Sequence, residues 1–207
     1  MLSKIICEKL LEIKAVKLSP HTPFTWASGI KSPIYCDNRQ IISYPEIRRL
    51  VADSFVTLIK EFYPQAQVIA GTATAGIPHA AWVAERLNLP MIYVRSSSKD
   101  HGLKNSVEGR LDKNQKVIVI EDLVSTGGSS LQVVADIQKH GGDVLGVLAI
   151  FSYEFTEALQ KFKDAQIPLK TLANYPTLLM LAKEKGTISL EEEKTLLKWR
   201  EDPKNWP

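Results

Sequence analysis

Cysteine is nearly missing from this chain of 207 residues: Cys7 and Cys36 are the only two, and neither falls in a metal-binding or redox spacing. A disulfide scaffold is thereby excluded, and a reduced, cytoplasmic setting is expected. A surplus of charge is missing too. A net charge of +3 is too small to argue for a nucleic acid or a membrane as partner. Long apolar runs are also absent: the longest, Val144 to Phe151, is broken by Gly146 and falls far short of a bilayer span. Met1 to Leu11 carries Lys4, Glu8 and Lys9 within a helical pattern, so no signal peptide is expected there. Internal repeats and low-complexity tracts are lacking. Hydrophobic content of 44% and charged content of 24% are ordinary for a soluble globular chain. The length allows one α/β domain with an accessory piece, or at most two small domains.

What is present centres on Val117 to Ser129, VIVIEDLVSTGGS. Val117, Ile118, Val119 and Ile120 form a β-branched run without alternation, the pattern of a strand buried on both faces of a parallel sheet. The run ends on two acids, Glu121 and Asp122, whose burial is costly unless polar groups meet them. Leu123 and Val124 lead into Ser125, Thr126, Gly127, Gly128 and Ser129, a small-residue loop able to turn its N–H groups around an anion. From Ser129 a helical spacing of Ser130, Val133, Val134 and Ile137 continues to Gly141-Gly142, where a helix would stop. Free N–H groups and the positive dipole end at that helix start favour a phosphate. Two carboxylates just before it can accept hydrogen bonds from a cis-diol, so the combination suits a phosphorylated pentose. The loop matches neither G-x-x-x-x-G-K-[ST] nor G-x-G-x-x-G. Its glycines alone would favour an ordinary capped turn, and the acid pair sets it apart.

The rest of the chain alternates between the two periods. Ile6, Leu10 and Ile13 predict an amphipathic helix over residues 3–15. Pro20, Pro23, Gly29 and Pro33 punctuate residues 18–43. Ser43 with Glu46, and Pro45 in the first turn, start a long helix with Val51, Phe55, Leu58 and Phe62 on its buried stripe. Val68 to Gly71 reads as a strand. Thr72 to Ala80, TATAGIPHA, is a second small-residue loop, and a helix carrying Trp82, Val83 and Leu87 follows. In open parallel sheets such strand ends gather around the ligand crevice. Met91 to Arg95 is another strand, and then no apolar period survives from Ser96 to Arg110, SSSKDHGLKNSVEGR. Composition leaves that stretch open as a solvated loop or a lid. Val144 to Ile150 and Leu169 to Leu172 read as strands, and Leu178, Leu179 and Leu181 as a helix. Ser189 and Glu192 form a capping box for a terminal helix. The expected fold is α/β: a doubly wound, mostly parallel sheet flanked by helices. It is expected as a single domain over 1–207, with a core at about 45–172 and a small hood over the active site from about 1–44 and 173–207.

Val117 to Ser129 resembles the phosphoribosyl pyrophosphate signature of the type I phosphoribosyltransferases: hydrophobics, two acids, then a Thr-Gly loop. That signature does not choose the base. Phe24 to Arg39, FTWASGIKSPIYCDNR, would by composition be a plain surface hairpin. Through Phe24-Thr25, Ser28-Gly29 and Lys31-Ser32-Pro33 it is similar to the segment that closes over the base in orotate phosphoribosyltransferases. Arg95 and the run Lys99-Asp100-His101-Gly102 look like that family's catalytic lid, whose cations reach a neighbouring subunit's substrate. The resemblance extends from about Phe24 to Trp199. It implies transfer of the phosphoribosyl group from 5-phospho-α-D-ribose 1-diphosphate to orotate, giving orotidine 5′-phosphate and pyrophosphate for pyrimidine biosynthesis. It implies catalytic roles for Lys99, Arg95, His101 and Asp122. The donor would be held by Glu121, Asp122, Leu123, Val124, Ser125, Thr126, Gly127, Gly128 and Ser129, together with Thr74, Ala75 and Gly76. Lys31 and Ser125 would meet orotate. Mg2+ is expected through the substrate's oxygens, with Asp122 the one candidate side chain. A homodimer with lids acting across its interface is expected, without nucleic acid or membrane.

The chain departs from the family's pattern in three places. Ser96, Ser97 and Ser98 stand where many relatives have a second lid Lys, and Ala75 where many have a Lys before the loop Gly. No Arg lies near Tyr153 to Phe155, where some relatives meet the orotate carboxylate. Lys104 and Arg39 are the candidates to compensate. Two rival functions share the fold. A purine-base transferase is compatible with the signature loop, and Phe24 to Arg39 argues against it. A regulator that only senses phosphoribosyl pyrophosphate would be expected to lose Lys99, and a dense basic patch with interleaved aromatics is missing. One electrostatic contact to a transition state is typically worth a few kcal/mol. Lys99→Ala is therefore expected to lower turnover more than about tenfold. Steady-state rates inside that margin would remove the lid assignment.

Overall fold

Apolar strands that do not alternate need cover on both faces, and the helices between them supply it. The computed structural model describes residues 2–26, 29–95 and 106–206. In chain order these form α1 (Leu2–Glu12), β1 (Val16–Leu18), β2 (Phe24–Thr25), β3 (Lys31–Ser32), β4 (Ile34–Cys36) and a 3₁₀ helix (Asn38–Ser43). Then come α2 (Pro45–Phe62), β5 (Val68–Thr72), α3 (Gly76–Leu87), β6 (Met91–Val94), β7 (Val107–Glu108) and β8 (Lys116–Val124). The chain continues with α4 (Gly128–Lys139), β9 (Asp143–Ser152), α5 (Thr156–Asp164), β10 (Leu169–Asn174), α6 (Tyr175–Glu184) and α7 (Leu190–Glu201).

The main sheet has the order β10-β9-β8-β5-β6-β7, and only the β6/β7 pair is antiparallel. From β5 the chain moves outward to β6, and from β8 it moves the other way to β9 and β10. Right-handed crossovers in opposite directions put α3 and α4 on opposite faces of the sheet. Further cover comes from α2 against α3 and α5 against α4. This is the expected doubly wound architecture, and its direction reverses between β5 and β8. Loops leaving the two strands there diverge and open a crevice at their C-terminal ends.

The register sharpens that crevice. Pairing of β5 with β8 stops at Gly71↔Ile120, whereas β8 and β9 stay paired to Val124↔Ser152. The expected strand ended at Ile120; the observed one runs on to Val124 because Glu121, Leu123 and Val124 still pair with β9. Beyond Ile120 its β5 side has no neighbouring strand. The start of α2 also differs from expectation. Ser43 closes the 3₁₀ helix, and the N-cap is Tyr44 without a side-chain cap bond, while Pro45 occupies the first turn. Both halves of the Ser189–Glu192 capping box are present on α7.

The N- and C-terminal segments pack on one another beside this crevice. Trp199 is fully buried, and its Nε1 donates to the Lys31 carbonyl at 3.1 Å. Rings of Trp26, Tyr153, Phe155 and Tyr175 surround it with centroids 5.3–5.8 Å away. Exposed ion pairs Lys4–Glu184, Lys185–Glu8 and His21–Glu192 bridge the same segments, but pairs of this kind contribute little. The aromatic contact dominates. Among the described residues, no helix is long and apolar enough to cross a membrane. Trp199→Ala is expected to destabilise the fold by about 3–5 kcal/mol in denaturant unfolding; a loss below about 1 kcal/mol would show that the ring cluster does not hold these segments.

Candidate active site

The β5–β8 crevice contains a cavity of about 260 Å³ lined by Thr72, Ala73, Thr74, Ala75, Glu121, Asp122, Leu123, Ser129 and Val133. Glu121 is 6% exposed, so its carboxylate must be satisfied by protein groups. Oε1 accepts from the Thr72 hydroxyl at 2.6 Å and from the Asp122 N–H at 3.0 Å, and Oε2 accepts from the Ser130 hydroxyl at 2.9 Å. Burial, and next the negative charge of Asp122, raise its pKa to about 7. Burial also raises the pKa of Asp122, while its hydrogen bond with Glu121 pulls the other way. The two acids thus hold a proton more readily than exposed carboxylates do. Among the described residues, no group of three or more His, Cys, Asp and Glu side chains is gathered to hold a metal.

The loop after β8 is built for an anion. Among the described residues, none of the N–H groups from Ser125 to Ser129 donates to a protein acceptor; the first such bond is Leu131 N–H to the Gly127 carbonyl. Free amides in consecutive residues at the start of a helix of 12 residues favour a phosphate. Gly127 adopts φ +77°, and a Cβ there would press on Phe162 at 3.1 Å. Gly76, at the start of α3, has no room at all: a Cβ would lie 2.5 Å from the Ile120 carbonyl oxygen. The second loop therefore lies directly on β8. The Ala73–Thr74 peptide in that loop is cis.

A second cavity of about 420 Å³ adjoins the first through Leu123, with Thr25, Trp26, Tyr35, Cys36, Ser125 and Tyr153 as its other walls. Its lining is mostly apolar and includes the rings of Trp26, Tyr35 and Tyr153, which suits a flat heterocyclic base. Burial, and next the charge of Asp122, push the Cys36 thiol well above its ordinary pKa, so it lines the wall as a neutral group.

Of the residues expected from sequence, Thr74, Ala75, Glu121, Asp122, Leu123 and Ser129 line the first cavity, and Leu123 and Ser125 the second. Thr126 lies beside Trp26 in a neighbouring hollow of about 250 Å³. The Val124 side chain is buried, so only its main chain faces the loop. Lys31 is exposed on β3 and lines neither of the two cavities, and Arg95 pairs with Glu108 of β7 outside them. Ser28, Lys99, His101 and Lys104 lie outside the described residues. Sequence reasoning missed Thr72, Ser130 and Asn38. Thr72 had a signal, since it directly follows the expected strand and faces the acids.

A family model described as phosphoribosyl transferase domain matches residues 38–167, a span that contains both loops. The chain is 56% identical to the orotate phosphoribosyltransferase of Lactococcus lactis subsp. cremoris (strain MG1363), over 99% of this chain and 98% of that protein. It is 53% identical to that of Enterococcus faecalis (strain ATCC 47077 / OG1RF), over 99% of this chain and 97% of that protein. The crystal structure of the orotate phosphoribosyltransferase from Aeropyrum pernix matches with a TM-score of 0.77 at 25% identity, covering 89% of this chain and 99% of that one. On these matches the chain belongs to the orotate phosphoribosyltransferases, within the phosphoribosyltransferase family.

The raised pKa of Glu121 has a stability consequence with a definite sign. Below about pH 4.5 the group is protonated in both folded and unfolded chains, so its contribution is constant. Between there and about 7 the unfolded chain ionises first, and stability falls as pH rises. Glu121→Gln cannot ionise. Relative to wild type, this variant is therefore expected to gain about 2.5 kcal/mol between pH 5 and pH 8. Thermal melts of both proteins at the two pH values measure it, and an unchanged difference would mean that Glu121 is not raised.

Proposed function

We propose that this chain transfers the phosphoribosyl group of 5-phospho-α-D-ribose 1-diphosphate to orotate, releasing pyrophosphate and forming orotidine 5′-phosphate. The observation that carries this reading is a pair of cavities that share Leu123 as a wall: one holds the acid pair and Ser129 at the end of the small-residue loop, and the other is walled by Trp26, Tyr35, Tyr153 and Ser125 at that loop's start. Sugar and base would be held on either side of one residue, so that the anomeric carbon and the ring nitrogen meet there.

In this reading the N–H groups of Ser125 to Ser129 bind the 5′-phosphate, and Asp122 accepts from the ribose hydroxyls. Glu121 already accepts three hydrogen bonds, which leaves room for at most about one more. Thr74, Ala75 and Gly76 present main chain to the pyrophosphate. As the bond from the anomeric carbon to the pyrophosphate oxygen breaks, the orotate ring nitrogen bonds to the same carbon, and the proton that nitrogen carried passes to the departing pyrophosphate or to water. Positive charge grows on the sugar beside Asp122, while Arg95, Lys99 and His101 would meet the negative charge on the departing group. Ser125, with Lys31, would meet the orotate carboxylate. Two adjacent carboxylates, with no larger ligand cluster among the described residues, fit a magnesium ion held mainly by substrate oxygens and water. When bound, Mg2+ supplies charge neutralisation on the pyrophosphate and orders the ribose hydroxyls. The same reading places the two terminal segments as a hood over a core domain, and the lid across a homodimer interface in a cytoplasmic enzyme.

Incubation with Mg2+, phosphoribosyl pyrophosphate and orotate is expected to deplete orotate absorbance, whereas adenine and hypoxanthine should give no nucleotide. Asp122→Asn should lower kcat/KM by about a hundredfold while its thermal unfolding stays close to wild type. Turnover of a purine, or an Asp122→Asn variant as active as wild type, would overturn the assignment.

A further inference from the structure

We propose that Asn38 is the positioning residue for Asp122, a strut that ties the base-side segment to the sugar-side acid. The inference rests on the reading of Asp122 given above. The problem it answers is a geometrical one. Where β8 outruns β5, the main chain of Asp122 has no partner in the β5 register, and Asp122 is also absent from the β9 register. Its N–H and carbonyl would face the crevice unsatisfied, and an unheld main chain would let the carboxylate swing. Two side chains take those places instead. The carboxylate of Glu121 accepts the Asp122 N–H at 3.0 Å, and the amide Nδ2 of Asn38 donates to the Asp122 carbonyl at 2.6 Å.

Asn38 is suited to this task and to little else. It is fully buried at the first position of the 3₁₀ helix, and it lines neither of the two substrate cavities. The other end of its amide is also used: Oδ1 accepts from the Cys36 thiol at 3.4 Å. Cys36 and its neighbour Tyr35 are walls of the aromatic cavity. A single side chain thereby links the wall against which a base would lie to the residue that would hold the ribose. The distance between the two half-sites becomes a property of the folded chain. In reactions that depend on the approach of two reactants, small misplacements of this kind cost rate more than affinity. An Asn38 substitution should therefore act on kcat far more than on either KM.

A double-mutant cycle tests the proposal, because a residue that acts through Asp122 has little left to lose once Asp122 is altered. Asn38→Ala and Asn38→Leu are each made in wild type and in Asp122→Asn; the Leu variant refills the volume without donating. In wild type each is expected to lower kcat at least about fivefold with little change in either KM. In Asp122→Asn the additional loss should be less than half as large on a logarithmic scale. A loss below about fivefold in wild type overturns the proposal, as does an additional loss in Asp122→Asn at or above that half. If neither variant folds, by thermal unfolding and Trp fluorescence, the amide holds the fold and not the acid, and the proposal again falls. Asp122→Asn itself separates the two kinds of failure. If it is as active as wild type, the role of Asp122 is wrong; if it is impaired and the Asn38 variants are not, that role stands and only the strut is removed.

Discussion

Glu121 is a carboxylate at a place where water scarcely reaches, and the arrangement around the crevice follows from how that charge is accommodated. An isolated buried carboxylate costs several kcal/mol. Here the cost is spread over Thr72 at the end of β5, Ser130 in the first turn of α4 and the main chain of β8 itself. Three elements on two sides of the sheet reversal are drawn to one side chain. The loops that leave β5 and β8 begin from that shared point, and so their separation is set before any ligand arrives.

The other half of the site solves a different problem. Segments far apart in sequence, around Trp26, Tyr153, Tyr175 and Trp199, bring their rings together beside the sheet. They cover one another, with Trp199 at the centre of the ring cluster. Hydrogen bonds tie these rings to the main chain, as between Trp199 and the Lys31 carbonyl or between Tyr175 and the Leu196 carbonyl. The aromatic wall and the charged cradle thus arise from separate physical requirements, and they meet at Leu123.

Much of the sheet was legible in the sequence, because strands buried on both faces leave apolar runs without polar alternation: Val117 to Ile120 is one, and Val144 to Ile150, interrupted only by Gly146, another. The two glycine-bearing loops were legible by composition and by position at strand ends. Elements with little buried surface were not. α5 buries only Ala158 and Phe162, which is too short a stripe to register as a period. β7 is two residues inside a polar stretch. Ser43 matched a capping pattern, yet the 3₁₀ helix that claims it depends on contacts with β8 and α2 that spacing does not encode. Asn38 was invisible for a related reason, since its partner is a main-chain carbonyl and carries no side-chain signature. The aromatic cavity draws on four separated stretches of chain, so its existence could be implied by family resemblance but not read from any one of them.

The antiparallel edge strand has a bearing on how such a chain can change over time. Tyr93↔Glu108 and Val94↔Val107 pair across β6 and β7, and the Arg95 N–H donates to the Ser106 carbonyl at 2.9 Å. Both ends of the stretch 96–105 are thereby clamped together at the sheet's margin. Once the ends of a loop are joined, doubling its length adds only about 0.6 kcal/mol of closure entropy. Replacement or lengthening there places almost no thermodynamic load on the rest of the molecule. A lineage can vary its cations in that stretch, as the serines at Ser96, Ser97 and Ser98 illustrate, while the scaffold beneath evolves under unrelated constraints.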